Sequence, residues 1–443
     1  MNAHAHSPRP SRGMRRGAGA AGIAVCLAVL GAAPAPASVT PSGVGHGSLV
    51  LVGGGLKDDN TQVYGEIIRR AGGPGQARIG VLTAASVPAS QDPNADDPDT
   101  CSNSACNGAY YADLFKRHGA ADAQWIPVDL DHIANADSDA VVAQINSMTG
   151  FFFGGGDQYR YVTSLLHGEQ HTDSKVLAAI RAKLKAGAVV AGSSAGAQIA
   201  SGPDMLTGGD SYPGLRDGSR PGYFDDPTVL GYLPRGGFGF LRSGLLDTHT
   251  GTNGREGRSL RLAADTGHDL VYALDEDTAL VVDDAGSARE RVKVIGSQGV
   301  SVLDLSGAHA GDGPTGWHLH NARYTYLTSG DSYDPRTGRA ATPDKHRLAP
   351  TSHAPVPPNT DVFYSPANVE GTPYSLRGTA RALAASTRRT ATATTYENDP
   401  RFTVTLTEPR GFRPLSADGR TPQTLLDLRL DIDADRPDSA AQR

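Results

Sequence analysis

Three cysteines in 443 residues are too few for a disulfide scaffold. Cys26 lies in an apolar stretch near the N-terminus, which leaves Cys101 and Cys106 for the body of the chain. Two cysteines alone do not make a zinc site. An excess of positive charge is missing too. Lys and Arg number 41 against 47 Asp and Glu, a net charge of −6. No basic patch with interleaved aromatics occurs, which excludes nucleic acid as a partner. Long apolar runs are the third absence. Beyond the N-terminal stretch no segment approaches the ~18 continuous apolar residues that a membrane helix needs.

What the chain does have begins with an export pattern. Arg9, Arg12, Arg15 and Arg16 form a positive region, and residues 18–33 form an apolar one. Ala35-Pro36-Ala37 fits a small-x-small cleavage site with Ser38 as the mature start. The apolar core is too short and too rich in Gly and Ala for a stable span. Residues 1–37 are therefore expected to be a signal peptide, with the mature protein secreted and away from the membrane. In an exported protein, Cys101 and Cys106 are expected to form a local disulfide within the polar segment 96–107.

The body alternates between two periods. Apolar runs at 47–52, 78–83, 123–128, 150–153 and 188–191 read as buried strands. Helical stretches at 60–71, 109–118, 138–148 and 174–185 separate them. In the last, Val176, Leu177, Ile180 and Leu184 repeat at helical spacing, and Gly187 stops it. This alternation predicts an α/β fold with a mostly parallel sheet flanked by helices. Ligands in such sheets bind at the carboxyl ends of the strands. Three glycine turns occupy that edge: Gly53–Gly55, Gly154–Gln158 and Gly192–Gly196. The sequence predicts a catalytic α/β domain over 38–330, a Pro-, Thr- and His-rich linker or loop over 331–359, and a small C-terminal α+β extension over 360–443.

Gly192-Ser193-Ser194-Ala195-Gly196 follows an apolar strand and precedes a helix-compatible stretch, the pattern of a nucleophile elbow. A sharp strand-to-helix turn brings backbone against backbone, so its flanking positions require glycine. A serine hydroxyl needs a base to take its proton, normally a histidine whose tautomer a carboxylate fixes. Downstream of Ser194, His249 follows Leu245-Leu246-Asp247-Thr248, at a strand end. His268, His309, His318, His320, His346 and His353 read as surface or loop residues.

In this order the chain carries Gly155-Gly156-Asp157-Gln158, Gly192-Ser193-Ser194-Ala195-Gly196-Ala197, Asp247-Thr248-His249, Arg255-Glu256-Gly257-Arg258 and Asp275-Glu276-Asp277-Thr278-Ala279. Over about residues 45–305 it resembles the serine peptidases that include cyanophycinase and aspartyl dipeptidase, with the cyanophycinase branch the nearer. The resemblance implies a class I glutamine-amidotransferase-like fold and no metal or organic cofactor. It also implies a homodimer, because family members often dimerise. Ser194 would be the nucleophile and His249 the base. The N–H of Ala195 and one from Gly155 or Gly156 would form the oxyanion hole. Gln158, Asp247, Arg255, Arg258 and Thr278 would line the substrate pocket. Asp210 is the expected triad acid, the one carboxylate in the window 208–213 where the resemblance places it, with Asp217 in reserve. Asp157 and the acids of 275–277 read as turn caps. Thr248 and Asn253 depart from the family, which often has glutamine and arginine there.

The expected activity is an exported serine exopeptidase that cuts cyanophycin, a poly-aspartate with arginine on its side-chain carboxyls, into β-aspartyl-arginine. The alternatives are a peptidase of the same family acting on aspartyl dipeptides or acidic peptides, and a binding protein that keeps the fold without the chemistry.

Overall fold

The computed structural model describes residues 46–435. The predicted signal peptide lies outside the described residues. The first half of the chain winds as its periodicity predicts. It runs β1 (Ser48–Val52), α1 (Thr61–Arg70), β2 (Arg78–Leu82), α2 (Ser104–Arg117), β3 (Asp122–Trp125), α3 (Asp139–Ser147), β4 (Gly150–Phe153), α4 (Gln158–Leu165), α5 (Lys175–Lys185) and β5 (Val189–Ser193). β1, β5, β4, β2 and β3 lie side by side in that order and run parallel.

These strands are buried on both faces. Leu49 and Leu51 enter one apolar core, Val50 and Val52 the other. A parallel sheet covered by helices on both sides requires this. The helices begin where their caps place them. Asn60 accepts the Val63 N–H ahead of α1, and Ser174 accepts the Leu177 N–H ahead of α5. α2 starts before the expected residue 109. Asn103 accepts the Cys106 N–H, and Cys106 sits in the first turn, bonded to Cys101. The polar composition there reflects a capped helix start, not a loop.

After β5 the chain adds α6 (Ala195–Gln198), α7 (Ser211–Asp217), β6 (Leu245–Asp247), α8 (Thr250–Asn253), α9 (Glu256–Thr266) and β7 (Leu270–Leu274). Then come β8 (Thr278–Asp283), β9 (Arg291–Gly296), β10 (Gly299–Asp304), β11 (Gly316–Thr328), β12 (Ser332–Asp334) and β13 (Arg339–Ala341). β8, β9, β12 and β13 join the first sheet antiparallel beyond β1, which makes it nine-stranded. β6, β7, β10 and β11 begin a second, ten-stranded sheet.

The last part of the chain completes that second sheet. α10 (Ser375–Ala385) is followed by β14 (Thr390–Thr394), β15 (Phe402–Thr407) and β16 (Thr424–Ala434). β16 pairs with β11 on one side and β15 on the other. Residues 360–435 are therefore woven into the sheet that carries β6 and β7. The stretch expected to be a linker supplies the last two strands at one end of the first sheet, β12 and β13. All described residues belong to one compact unit.

Candidate active site

Three neighbouring strands of the first sheet set the site. Ser193 lies beside Val52, and Val52 lies beside Ala279. The turns leaving β5, leaving β1 and entering β8 therefore meet at one edge. Ser194 sits at φ 56°, ψ −120° between β5 and α6, and its N–H bonds to the Val52 carbonyl at 3.0 Å. A non-glycine residue held there is strained, as nucleophile elbows are. The flanking glycines are obligatory. A Cβ on Gly192 would lie 2.0 Å from the Gly196 oxygen, and one on Gly196 would lie 1.9 Å from the Phe153 oxygen.

His249 follows β6 in a left-handed conformation, φ 54°, and its N–H bonds to the Gly53 carbonyl at 2.7 Å. The ring Nε2 lies 2.7 Å from the Ser194 Oγ, and Nδ1 lies 2.7 Å from the Glu276 Oε1. The first glycine turn is the floor beneath this relay. A Cβ on Gly54 would lie 2.1 Å from the imidazole Cε1, and one on Gly55 would lie 3.0 Å from the Glu276 carboxyl. Gly54, at φ 98°, is a residue that only glycine can be.

The acid facing His249 is thus Glu276, not Asp210. Asp210 stands at the start of α7, half-buried, with no hydrogen bond from its side chain to the helix. Burial pushes its carboxyl up, while Arg258 and Arg255 pull it down. Asp217 is bound by Arg216 at 2.7 Å. The expectation failed because it placed the acid between serine and histidine in chain order, whereas here the acid follows the histidine. The signal was within reach, in Asp275-Glu276-Asp277. The outer two acids tie the turn to other elements. Asp277 accepts the Lys57 N–H and the Asn60 side chain, and Asp275 accepts the Gly251 N–H. Only the middle one projects toward the imidazole.

The Ala195 N–H opens α6 next to Ser194, where it has no intrahelical acceptor. The Gly155 backbone passes beside it: a Cβ there would lie 3.4 Å from the Ser194 Cβ. A Cβ on Gly156 would strike the Ala85 oxygen at 2.2 Å. Asp157 caps α4 by accepting the Tyr159 N–H. Gln158 donates to the Leu206 and Thr207 carbonyls at 3.3 and 3.1 Å.

Of the residues expected to line a pocket, three are committed elsewhere. Arg258 grips Asp247 through Nε and Nη2 at 2.9 and 2.7 Å, and donates Nη1 to the Gly209 carbonyl. Both side chains are fully buried, and burial costs such a pair dearly unless each charge is answered. This pair is a brace between β6 and α9 rather than a substrate contact. Thr278 is also buried. Its hydroxyl donates to the Glu276 carbonyl and accepts the Gln298 N–H, which fixes the acid's turn. Arg255 differs. It is half-buried, bonds one backbone oxygen, that of Thr248, and its buried Nε has no partner. Burial, with Arg258 beside it, pushes its guanidinium down to about 10. Among the described residues it forms no ion pair. Among the described residues no group of His, Cys, Asp and Glu is placed to hold a metal.

A nucleophile elbow hydrogen-bonded to a histidine, itself held by a carboxylate, is the arrangement for acyl transfer. Residues 102–289 match the family model described as Peptidase family S51, a span that holds Ser194, His249 and Glu276. A cyanophycinase of Synechococcus elongatus is 28% identical over 302 residues, 66% of this chain and 81% of that protein. One of Nostoc sp. is 28% identical over 312 residues, 68% and 89% of the two chains. The chain is a serine-type peptidase, similar to family S51 over residues 102–289 and to cyanophycinases over the 66–68% of its length they match. A crystal structure of a peptidase from an acI-B1 Actinobacterium aligns with 19% identity and a TM-score of 0.43, over 66% of this chain and 98% of that one.

Proposed function

We propose that this serine peptidase belongs to family S51 and is an exported cyanophycinase, with Ser194, His249 and Glu276 as its triad on a class I glutamine-amidotransferase-like core. The observation that carries the reading is the Ser194–His249–Glu276 relay with the unpaired Arg255 guanidinium on the same loop as His249. Ser194 Oγ attacks the carbonyl carbon of a backbone peptide bond between aspartates as its proton passes to His249 Nε2. The oxyanion accepts from the N–H groups of Ala195 and Gly155. The C–N bond breaks, and Nε2 returns the proton to the leaving amine. Water then attacks the acyl ester, with its proton passing through Nε2 to Ser194 Oγ. Glu276 holds the Nδ1–H throughout. Arg255 receives a free substrate carboxylate, for which a planar guanidinium is suited. The products are β-aspartyl-arginine dipeptides, and the polymer is met outside the cell.

A second reading, cleavage of aspartyl dipeptides or other acidic peptides, is favoured by one observation. Arg258 is closed off by Asp247, which leaves Arg255 as the one cation of the Arg255–Arg258 motif free for substrate. The test is digestion of insoluble cyanophycin granules by the mature protein beside Ser194→Ala. Release of β-aspartyl-arginine by the parent alone supports the proposal. Intact granules with both proteins, and cleavage of an aspartyl dipeptide by the parent, would shift the assignment to the second reading.

A further inference from the structure

The C-terminal segment reaches the back of the active site through one side chain. Arg377, on α10, donates Nη1 to the Tyr326 hydroxyl at 2.6 Å, to the Gln298 Oε1 at 2.9 Å and to the Asp275 Oδ2 at 3.3 Å. Its guanidinium lies over the Tyr374 ring at 3.9 Å. The Tyr326 hydroxyl donates to the same Asp275 oxygen at 2.7 Å. The other Asp275 oxygen accepts the Gly251 N–H at 2.9 Å, in the short helix that begins right after His249. Asp275 is itself the residue before Glu276.

One buried carboxylate therefore joins the backbone of the acid to the backbone of the base, and Arg377 is its counter-charge. A second path runs parallel. Gln298, held by Arg377, donates its N–H to Thr278 Oγ1, which donates to the Glu276 carbonyl. A third contact closes the frame. The Tyr374 N–H bonds to the Gly251 carbonyl at 2.6 Å, and a Cβ on Gly251 would lie 2.1 Å from the Tyr374 ring.

Asp275 buried without Arg377 would carry an unanswered charge, which neutralises or relocates rather than persisting in place. Either response loosens the Gly251 bond and frees the turn of Glu276 from the loop of His249. We propose that Arg377 is a positioning residue of the catalytic site: acting through Asp275 and Gln298, it holds the turn bearing Glu276 in register with the loop bearing His249. The inference rests on reading Ser194, His249 and Glu276 as the triad. It assigns the C-terminal segment a part in the chemistry, beyond completing a sheet.

The test uses the full mature chain and a fluorophosphonate, which reports nucleophile activation whatever the natural substrate. The saturating rate of Ser194 labelling and the half-saturating probe concentration are measured for the parent, Ser194→Ala, Arg377→Ala, Arg377→Lys and Leu376→Ala, each well below its thermal midpoint. Leu376 is a fully buried neighbour on α10 outside the network, so its truncation reports the effect of destabilising the helix alone. Arg377→Ala is expected to lower the saturating rate by about 10- to 100-fold with the half-saturating concentration nearly unchanged, as misplacement of a reacting group does. Arg377→Lys restores part of the rate because it keeps the charge but loses the planar fork. Leu376→Ala lowers the midpoint and leaves the rate near that of the parent. Equal rates for Arg377→Ala and the parent would overturn the proposal. So would a loss in Leu376→Ala as large as in Arg377→Ala. Absence of labelling in the parent itself would remove the triad reading, and this inference with it.

Discussion

Glu276→Gln and Asp210→Asn separate two candidate acids by a wide margin. Glu276 Oε1 lies 2.7 Å from His249 Nδ1, in a site where the two side chains keep 32% and 23% of their exposure. During acyl transfer the imidazole takes a proton from Ser194 and becomes a cation. Glutamate then gains a full ion pair, which glutamine does not. The amide can also turn its NH₂ toward Nδ1, which selects the tautomer whose Nε2 carries the proton and is unable to accept one. Losing both effects in a fully enclosed triad costs ~10⁴ in kcat. Water reaches this pair, which screens the charge, so a fall of about 10²–10⁴, or ~3–5 kcal/mol, is expected. Asp210 makes no hydrogen bond to His249, whose Nδ1 faces Glu276, and its substitution should leave kcat within about threefold. Burst and steady-state kinetics on a chromogenic ester, at matched folded fraction, measure both. A kcat for Glu276→Gln within about tenfold of the parent would refute the triad assignment, as would an equal fall for Asp210→Asn.

Two further outcomes follow from unpaired charges. Arg255→Gln should raise KM for substrates with a free α-carboxylate by about 10- to 100-fold, the loss of one charge-assisted contact, and should leave amidated analogues nearly unaffected; equal effects on both in an initial-rate assay would count against a carboxylate site. Glu256 opens α9 fully buried, and burial pushes its carboxyl up to about 8, with Asp275 and Asp247 adding to the rise and Arg377 opposing it. Its folded-state pKa lies above the unfolded value, so the native state holds the proton more tightly. Stability from this group is complete below the usual glutamate range and is lost as pH rises toward 8, at about 1.4 kcal/mol per pH unit. Thermal midpoints should fall across pH 5–8 in the parent, and Glu256→Gln should flatten that slope; an unchanged slope contradicts the assignment.

How much of the site was readable depended on what kind of constraint each residue obeys. The elbow glycines obey a local steric rule, since a Cβ at Gly192 or Gly196 meets backbone within 2.0 Å. Such positions announce themselves in a sequence. His249 was legible from a strand end followed by histidine. Glu276 was not, because acids at strand ends usually cap turns, and nothing within Asp275-Glu276-Asp277 marks the middle one. What singles it out is antiparallel pairing of β8 with β1, a contact between residues more than two hundred positions apart. Arg258 misled for a related reason. Its spacing from Arg255 suggested a shared pocket, whereas an acid eleven residues before it, Asp247, turns it inward. The strands of 390–434 were visible as alternation. Their destination was not, since a strand's pattern states which face is buried and not which neighbour it pairs with.

β16 is the last described strand, yet it lies between β11 and β15 in the sheet that carries β6 and β7. A chain made from its N-terminus can complete the parallel strands, the elbow and the glycine floor while its final residues are still unmade. The sheet that carries β6 and the arginine that contacts Asp275 are finished by residues made after Ser194, His249 and Glu276. Pairings this distant form late. If Arg377 aligns the triad as proposed, hydrolytic competence is coupled to synthesis of α10 and β16: a polypeptide stopped before them carries serine, histidine and glutamate but not the frame that aligns them, and is expected to stay silent.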